Sequence, residues 1–290
     1  MDIFYTAFAF IYQVGDTFGF LVLSACGLAV IFGMMGVINL AHGEFILCGA
    51  YVSTALSRAG SPLPIAILAG ALAAGFAGVL LERTVVRHLY KRPLDTIVAT
   101  WGISMMVTQG TLIILGPTMQ GTGTPLGSFT VGAYSFSQYR LVLVGAAIAT
   151  LLALYLVFIK TRFGLLARAT IQTPHIAEAV GVNTNLIYSV TFGLGAALAG
   201  LAGGLYAPTM TLVPTLGSAF VTEAFVTVVI GGADIFLGTA PAAAVLAIIK
   251  TTLTTWKGQV FGQIGLLFAV IIVIRVLPKG LSGLMIRERT

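Results

Sequence analysis

The sequence predicts an all-α integral membrane protein, a polytopic helical bundle of about eight or nine spans with two broken, glycine-rich segments. Hydrophobic residues make up 58% of the 290 positions and charged residues only 8%. The mean hydropathy of +1.03 lies outside the range of soluble domains. Apolar runs of roughly 20 residues, the length that a membrane-spanning helix needs, recur along the chain. We therefore expect one transmembrane domain over residues 1–290.

Most basic residues gather in three short segments, which the positive-inside rule assigns to the cytoplasm. An even number of apolar runs separates successive segments, as that orientation requires. No basic residue precedes Arg58, which argues against a secretory signal and places the N-terminus outside. The C-terminus is expected in the cytoplasm, and this distribution of charge argues against a nucleic-acid partner. The three segments contain Arg83, Arg87, Lys91, Arg92, Lys160, Arg162, Arg168, Arg275, Lys279, Arg287 and Arg289.

The first clear span, residues 17 to 35, is followed by a passage rich in glycine and polar residues. In hydrocarbon, irregular polar backbone is expected only where it is buried in protein or borders a water-filled path. Two interpretations remain open: a short cytoplasmic turn with an acid at a helix N-terminus, or a broken helix lining a path, which we favour. The candidate path residues in this passage are Asn39, His42 and Glu44.

A second glycine-interrupted passage lies in the last quarter of the chain. Its glycines flank Asp234, and Glu223 lies in the apolar run before them. Two such segments, one in each half of the chain, indicate a central transport path between structural repeats. An acid at this depth lines the path, pairs with a base or lies at a helix end near water, and the sequence does not choose among these. The glycines are Gly231, Gly232 and Gly238.

Two further stretches have a predicted structural role. Residues 116 to 139 carry no charge, are rich in Gly, Thr and Ser, and are expected to form an external loop. The apolar run from residue 186 to 206 contains Gly200 and Gly204 as a GxxxG pair, with Ala196 extending the small face. Small faces let helix backbones approach closely in lipid, and packing within the chain is favoured over a dimer seam.

The one polar interval, TRFGLLARATIQTPHIAEAVG, lies in a predicted cytoplasmic loop of residues 160 to 186. Thr173 can cap a helix of about two turns, Pro174 suits its first position, and Gly181 can end it. Such a short helix needs a partner surface. It is either a connection packed on its own chain or, as we favour, a docking helix received by another protein. Its apolar face comprises Ile176, Ala179 and Val180.

No catalytic or cofactor motif is recognisable. Phosphate-binding GxxxxGK[ST], zinc-protease HExxH and serine-hydrolase GxSxG patterns are missing, so we predict neither an enzyme nor a bound cofactor or metal. Cys26 and Cys48 lie in apolar runs without disulfide or metal-ligand spacing. His42 and Glu44 have the wrong spacing for ligands on one helical face.

Three segments together resemble the Liv-type permease family of ATP-binding cassette importers: MGVINLAHGEFILCGAYV, FGLLARATIQTPHIAEAVGVNT and FGLGAALAGLAGGLY. The resemblance implies a permease of the bacterial inner membrane that moves branched-chain amino acids or related small solutes such as urea and short amides. It also implies cytoplasmic ATPase subunits that use ATP and magnesium, a second permease subunit and a periplasmic solute-binding protein. The family's coupling motif maps onto Arg168, Ala169, Ala177, Glu178 and Gly181, to which we add Pro174.

The solute is left open between two branches of this family. RPLDTIVATWGIS is similar to the urea-type branch, whereas the general pattern equally suits a branched-chain amino acid permease. GGADIFLGT departs from the family's usual glycine-rich pattern and places Asp234 where an anionic solute would be discouraged. A secondary transporter or channel that uses Glu44, Glu223 or Asp234 as an ion site is the alternative, and an intramembrane enzyme lacks a catalytic constellation.

Overall fold

The protein is a helical bundle with one small β-hairpin among its described residues. The computed structural model describes residues 2–90, 92–132, 134–232, 238–277 and 280–282, so basic positions 91, 279, 287 and 289 lie outside it. Its helices are α1 (Asp2–Met35), α2 (His42–Arg58), α3 (Leu63–Thr84), α4 (Pro93–Leu115), α5 (Gln138–Lys160), α6 (Arg162–Gln172), α7 (Pro174–Ala179), α8 (Thr184–Tyr206), α9 (Leu216–Gly231), α10 (Ala240–Lys257) and α11 (Gln259–Val276).

The predicted class, an all-α membrane protein, is confirmed. Among the described residues, six helices are long and apolar enough to cross a bilayer, and α9 is a shorter apolar helix. Two 3₁₀ turns, Val86–Leu89 and Ala207–Thr209, follow α3 and α8. Strands β1 (Ser128–Val131) and β2 (Tyr134–Ser137) pair antiparallel within the predicted external loop.

Helix α1 begins fifteen positions before the predicted start of the first span. The polar residues that suggested an interruption have partners on other helices. Asp16 forms an ion pair with Arg140 of α5 at 2.5 Å, and Gln13 accepts a hydrogen bond from the Thr255 hydroxyl of α10. Because these neighbours satisfy the polar side chains, the helix continues without a break.

Helix α8 lies at the centre and packs closely against α1, α2 and α3. A Cβ atom added at Gly49 of α2 would lie 2.1 Å from the carbonyl oxygen of Gly200, and one at Gly203 would lie 1.9 Å from that of Ile46. Only glycine permits such backbone contacts between helices. Gly200 and Gly204 both face helices of the same chain, where their nearest neighbours include Ala74 and residues of α2 and α3.

Candidate functional site

The passage between α1 and α2, residues 36–41, is non-helical and held by side chains. Gly36 has a φ of +64°, and its N–H ends α1 by donating to Phe32. The buried Asn39 accepts a hydrogen bond from the Ala41 N–H at 3.0 Å, and the Leu40 N–H donates to the Thr100 hydroxyl of α4 at 3.1 Å. These bonds provide the partners that irregular backbone needs inside a membrane.

Helix α2 starts deep in the bundle rather than level with the end of α1. Its first residue, His42, is fully buried, and its Nε2 lies 3.0 Å from the carbonyl oxygen of Ser24. Ser24 precedes Met35, the end of α1, by eleven positions, which is about 16 Å along a helix. Residues 36–41 therefore run back alongside α1 before α2 begins.

Glu44, in the first turn of α2, is a buried acid held by α4. Its Oε1 accepts hydrogen bonds from the Ser104 hydroxyl at 2.8 Å and from the Thr108 hydroxyl at 3.2 Å. Its Oε2 is buried and has no hydrogen-bond partner among the described residues. An acceptor left unpaired in this way costs free energy unless a ligand or a second conformation pairs it.

The first turns of α2 and α9 meet in backbone contact beside Glu44. A Cβ atom at Gly43 would lie 2.1 Å from the carbonyl oxygen of Gly217, and one at Gly217 would lie 3.2 Å from Oε1 of Glu44. The two helix N-termini are thus adjacent in the bundle interior. Because helix N-termini carry partial positive charge, they are a favourable setting for the carboxylate of Glu44.

A pocket of about 330 Å³ opens between α2, α3 and α4 and includes Glu44 in its wall. Apart from Glu44 and the flanking Thr84, its lining is apolar, with Phe45, Cys48 and Ile103 among its residues. A volume near the lower end of small-molecule sites, with few polar groups in an apolar lining, is typical of a pocket for a small solute.

Glu223, the second predicted path acid, has a basic partner that the sequence did not indicate. Lys250 of α10 lies 2.5 Å from its carboxylate, and both side chains are largely buried. The lysine ammonium also lies 5.4 Å from the ring centre of Phe20. Glu223 lines a separate pocket of about 240 Å³ together with Gln263 of α11. The structure therefore does not bring Glu223 together with Glu44, and Asp234 lies outside the described residues.

The polar interval folds into two helices, of which the sequence predicted only the second. The unpredicted α6 is capped by Thr161, whose hydroxyl accepts a hydrogen bond from the Gly164 N–H. Arg168 and Ala169 are exposed on α6, with Arg168 donating to the Gly164 carbonyl. The small residues Gly164, Ala167 and Thr170 recur at a helical spacing of three, and this could have indicated the helix.

Helix α7 starts at Pro174 as predicted, and Gly181 follows it with a φ of +89°. The predicted side-chain cap is wrong, because Thr173 makes no such hydrogen bond and its backbone carbonyl accepts the N–H of Ile176 instead. The carboxylate of Glu178 accepts a hydrogen bond from the Thr184 hydroxyl at the start of α8.

The surface of α7 divides into a buried side and an exposed apolar side. Ala177 is 4% exposed and packs on the chain itself. Ile176 is 62% exposed and Val180 is 75% exposed. Ala177 and Glu178 thus anchor the helix to its own protein, whereas two large apolar side chains remain uncovered.

An acid that sequence reasoning missed connects this region to the bundle. Glu82 of α3 is fully buried and accepts hydrogen bonds from Tyr90 and Ser189, each at 2.5 Å, and from Arg87 at 3.3 Å. Burial and the contact with Glu82 raise the pKa of Tyr90. The only signal in the sequence was one acid at the edge of a basic segment, which did not distinguish a buried network from a solvated turn.

Comparison with known proteins matches residues 11–277 to the family described as branched-chain amino acid transport system, permease component. The high-affinity branched-chain amino acid permease LivH of Salmonella typhimurium is 25% identical over 93% of this chain and 92% of its own. A probable LivH of Methanocaldococcus jannaschii is 27% identical over 91% and 88%. The galactofuranose transporter permease YtfT of Escherichia coli is 27% identical over 74% and 62%. No solved structure matches.

Proposed function

Because the chain belongs to the permease family of branched-chain amino acid transport systems, we propose that it forms part of the solute path of an ATP-driven importer in a bacterial inner membrane. Separate ATPase subunits, which bind ATP and magnesium, would dock on its cytoplasmic face. A second permease subunit would complete the path, and a periplasmic binding protein would deliver the solute. The chain itself would perform no catalysis.

Nine helices crossing in alternate directions would place the N-terminus outside and the C-terminus in the cytoplasm. These helices are α1 to α5 and α8 to α11, with α2 and α9 as the two broken members. Tyr12 and Asp16 of α1 contact Ser137 and Arg140 beside the external hairpin, which supports an outer position for the start of α1. The basic residues near the ends of α3 and α5 then face the cytoplasm.

The observation that carries this proposal is the exposed apolar side of α7. A six-residue helix is too short to be stable by itself, and Ile176 of α7 and the adjoining Val180 are largely exposed. An ATPase groove that receives these side chains would bury them while Ala177 and Glu178 keep the helix attached to the permease. Arg168 and Ala169 of the neighbouring α6 would border the same contact.

Small solutes with an apolar body and an N–H donor are the substrates that the Glu44 pocket suits best. Branched-chain amino acids, the solutes named for LivH, have an ammonium group and an aliphatic side chain. Short amides and urea have amide N–H groups but less apolar surface. We therefore propose branched-chain amino acids first and short amides second, with Asn39, His42 and Glu44 near the path and Glu223 on a separate wall.

A pair of substitutions tests the docking surface. Ile176→Asp places a charge on the exposed side of α7 without removing a buried contact, so the permease should fold normally and lose its co-purifying ATPase subunits. Leu126→Asp introduces the same change at a residue of the external loop that is 58% exposed, and it should retain them. Equal recovery of ATPase with both variants would contradict the proposal.

Uptake measurements separate the proposal from a secondary transporter. In cells or vesicles with constant internal ATP, an importer of this kind should continue to take up leucine after an uncoupler is added. Ile176→Asp should abolish that uptake. Uptake that collapses with the uncoupler and is unaffected by Ile176→Asp would instead indicate an ion-coupled carrier.

A further inference from the structure

Helix α4 has one hydroxyl-bearing face, and its other faces are largely apolar. The hydroxyl residues occur at intervals of four, so they lie above one another along the helix. The other faces expose large apolar side chains such as Val98, Trp101 and Met106. In sequence order, the hydroxyl face comprises Thr96, Thr100, Ser104 and Thr108.

The four hydroxyls on this face form hydrogen bonds with three other parts of the protein. Thr96 donates to the carbonyl of Leu89 in the 3₁₀ turn at 3.0 Å. Thr100 accepts the N–H of Leu40 in the segment of residues 36–41. The next two hydroxyls, from Ser104 and Thr108, both donate to Glu44.

The N-terminal end of α4 is bonded to the hydrogen-bond network that also holds the docking helix α7. The 3₁₀ turn contains Arg87, which bonds to Glu82 and to Ser189 of α8. The first residue of α8, Thr184, donates to Glu178 of α7. One set of hydrogen bonds therefore connects α7, α8 and the base of α4, and a second set connects α4 to the segment of residues 36–41 and to Glu44.

We infer that the hydroxyl face of α4 positions the solute path. Thr100 and Ser104 are positioning residues, through which α4 passes the motion of the docking helix α7 to Glu44. This inference rests on the proposed function and specifies which element transmits the motion of the ATPase. Thr100 suits the role because its hydroxyl donates to the Thr96 carbonyl while its lone pair accepts the Leu40 N–H.

The substitution Thr100→Val tests this role because valine has the same shape but no acceptor. Thr100→Ser retains the acceptor and serves as the conservative rescue. Thr252→Val is the matched control, since within the described part of the chain the Thr252 hydroxyl bonds only to a carbonyl of its own helix, α10, and is exposed. All three variants are to be assembled with the ATPase and binding-protein subunits in proteoliposomes.

The readout is ATP turnover with leucine-loaded binding protein divided by turnover without it. Thr100→Val should lower this ratio roughly threefold or more, with unchanged recovery of ATPase subunits, while Thr100→Ser and Thr252→Val retain the wild-type ratio. A wild-type ratio for Thr100→Val would overturn the inference. The inference would also be overturned if Thr100→Val lowered ATP turnover only in proportion to a loss of assembled complex.

A second measurement needs no ATPase and so separates the inference from the proposed function. Hydrogen exchange of the peptide covering residues 36–41, in the purified full-length permease, should be faster in Thr100→Val than in Thr100→Ser.

If Thr100→Val does not accumulate, the double variant Ser104→Ala, Thr108→Val replaces it in the turnover assay, and an unchanged ratio contradicts the inference. Absence of leucine stimulation in the wild type contradicts the proposed solute alone, and the exchange comparison still decides the role of α4.

Discussion

Helices α8 and α4 both have the length and hydropathy of membrane spans, yet the protein holds them in different ways. Of the residues in their apolar windows, 61% are buried in α8 but only 6% in α4. Helix α8 touches its neighbours through glycine backbones, as where Gly203 meets Ile46. Helix α4 has Thr96 and Thr100 as its buried residues and depends on their hydrogen bonds.

The difference follows from what drives association inside a bilayer. Lipid tails are as apolar as leucine, so helices associate there through close packing of small residues or through interhelical hydrogen bonds. Close packing requires a long matched surface, so a closely packed helix cannot shift past its neighbour in small steps. The Ser104 and Thr108 hydroxyls, which donate to Glu44, can instead donate to a carbonyl of their own helix, as the Thr100 hydroxyl does with that of Thr96. Helix α8 is therefore suited to remain fixed, and α4 is suited to move.

The largest expected effect comes from filling the α2–α8 contact. Gly49→Leu forces a side chain into a space where even a Cβ atom would lie 2.1 Å from the Gly200 carbonyl oxygen. We expect a loss of roughly 3 kcal/mol or more in the free energy of unfolding, with little folded protein recovered in detergent. Gly145→Ala on α5 is the control, since no described residue comes within 4 Å of its added Cβ atom. Equal thermal stability of the two variants by size-exclusion chromatography would contradict the close packing.

An intermediate effect is expected at the buried acid beneath α4. Glu82→Gln keeps the shape but removes the charge that Arg87, Tyr90 and Ser189 surround. The free energy of unfolding should fall by about 2 kcal/mol because charged hydrogen bonds are lost at a buried site. The matched change Asp95→Asn breaks an exposed ion pair with Arg92, so it should lower that free energy by less than about 1 kcal/mol. Similar melting shifts for both variants would count against a buried network.

The smallest effect is expected on α4 itself. Thr96→Val removes the bond to the Leu89 carbonyl, and a single interhelical hydrogen bond in a membrane contributes about 0.6 kcal/mol. The free energy of unfolding should therefore fall by about that amount in a denaturant titration in mixed micelles. A loss as large as that of Gly49→Leu would show that α4 is held by packing after all and would remove the contrast with α8.

Much of the candidate site followed from local sequence, but its partners did not. Pro174 and Gly181 predicted the limits of α7 because they impose backbone conformations regardless of context. The burial of Asn39, His42 and Glu44 was expected from only one of the two interpretations that the sequence left open, the broken helix inside the protein. The Lys250 partner of Glu223 lies 27 positions away in sequence, so no local pattern could reveal it.

The sequence by itself indicated an all-α membrane protein with one polar interval, because hydropathy and backbone-restricting residues act locally. The permease family was indicated only by the resemblance of three motifs. The tertiary structure alone decided that α2 starts beside Ser24, that Glu82 collects three partners, and that the hydroxyls of α4 reach Leu40 and Glu44. A hydroxyl on a helix can always bond to its own backbone. Whether it bonds to another helix depends on which helix lies opposite, and only the assembled fold establishes that.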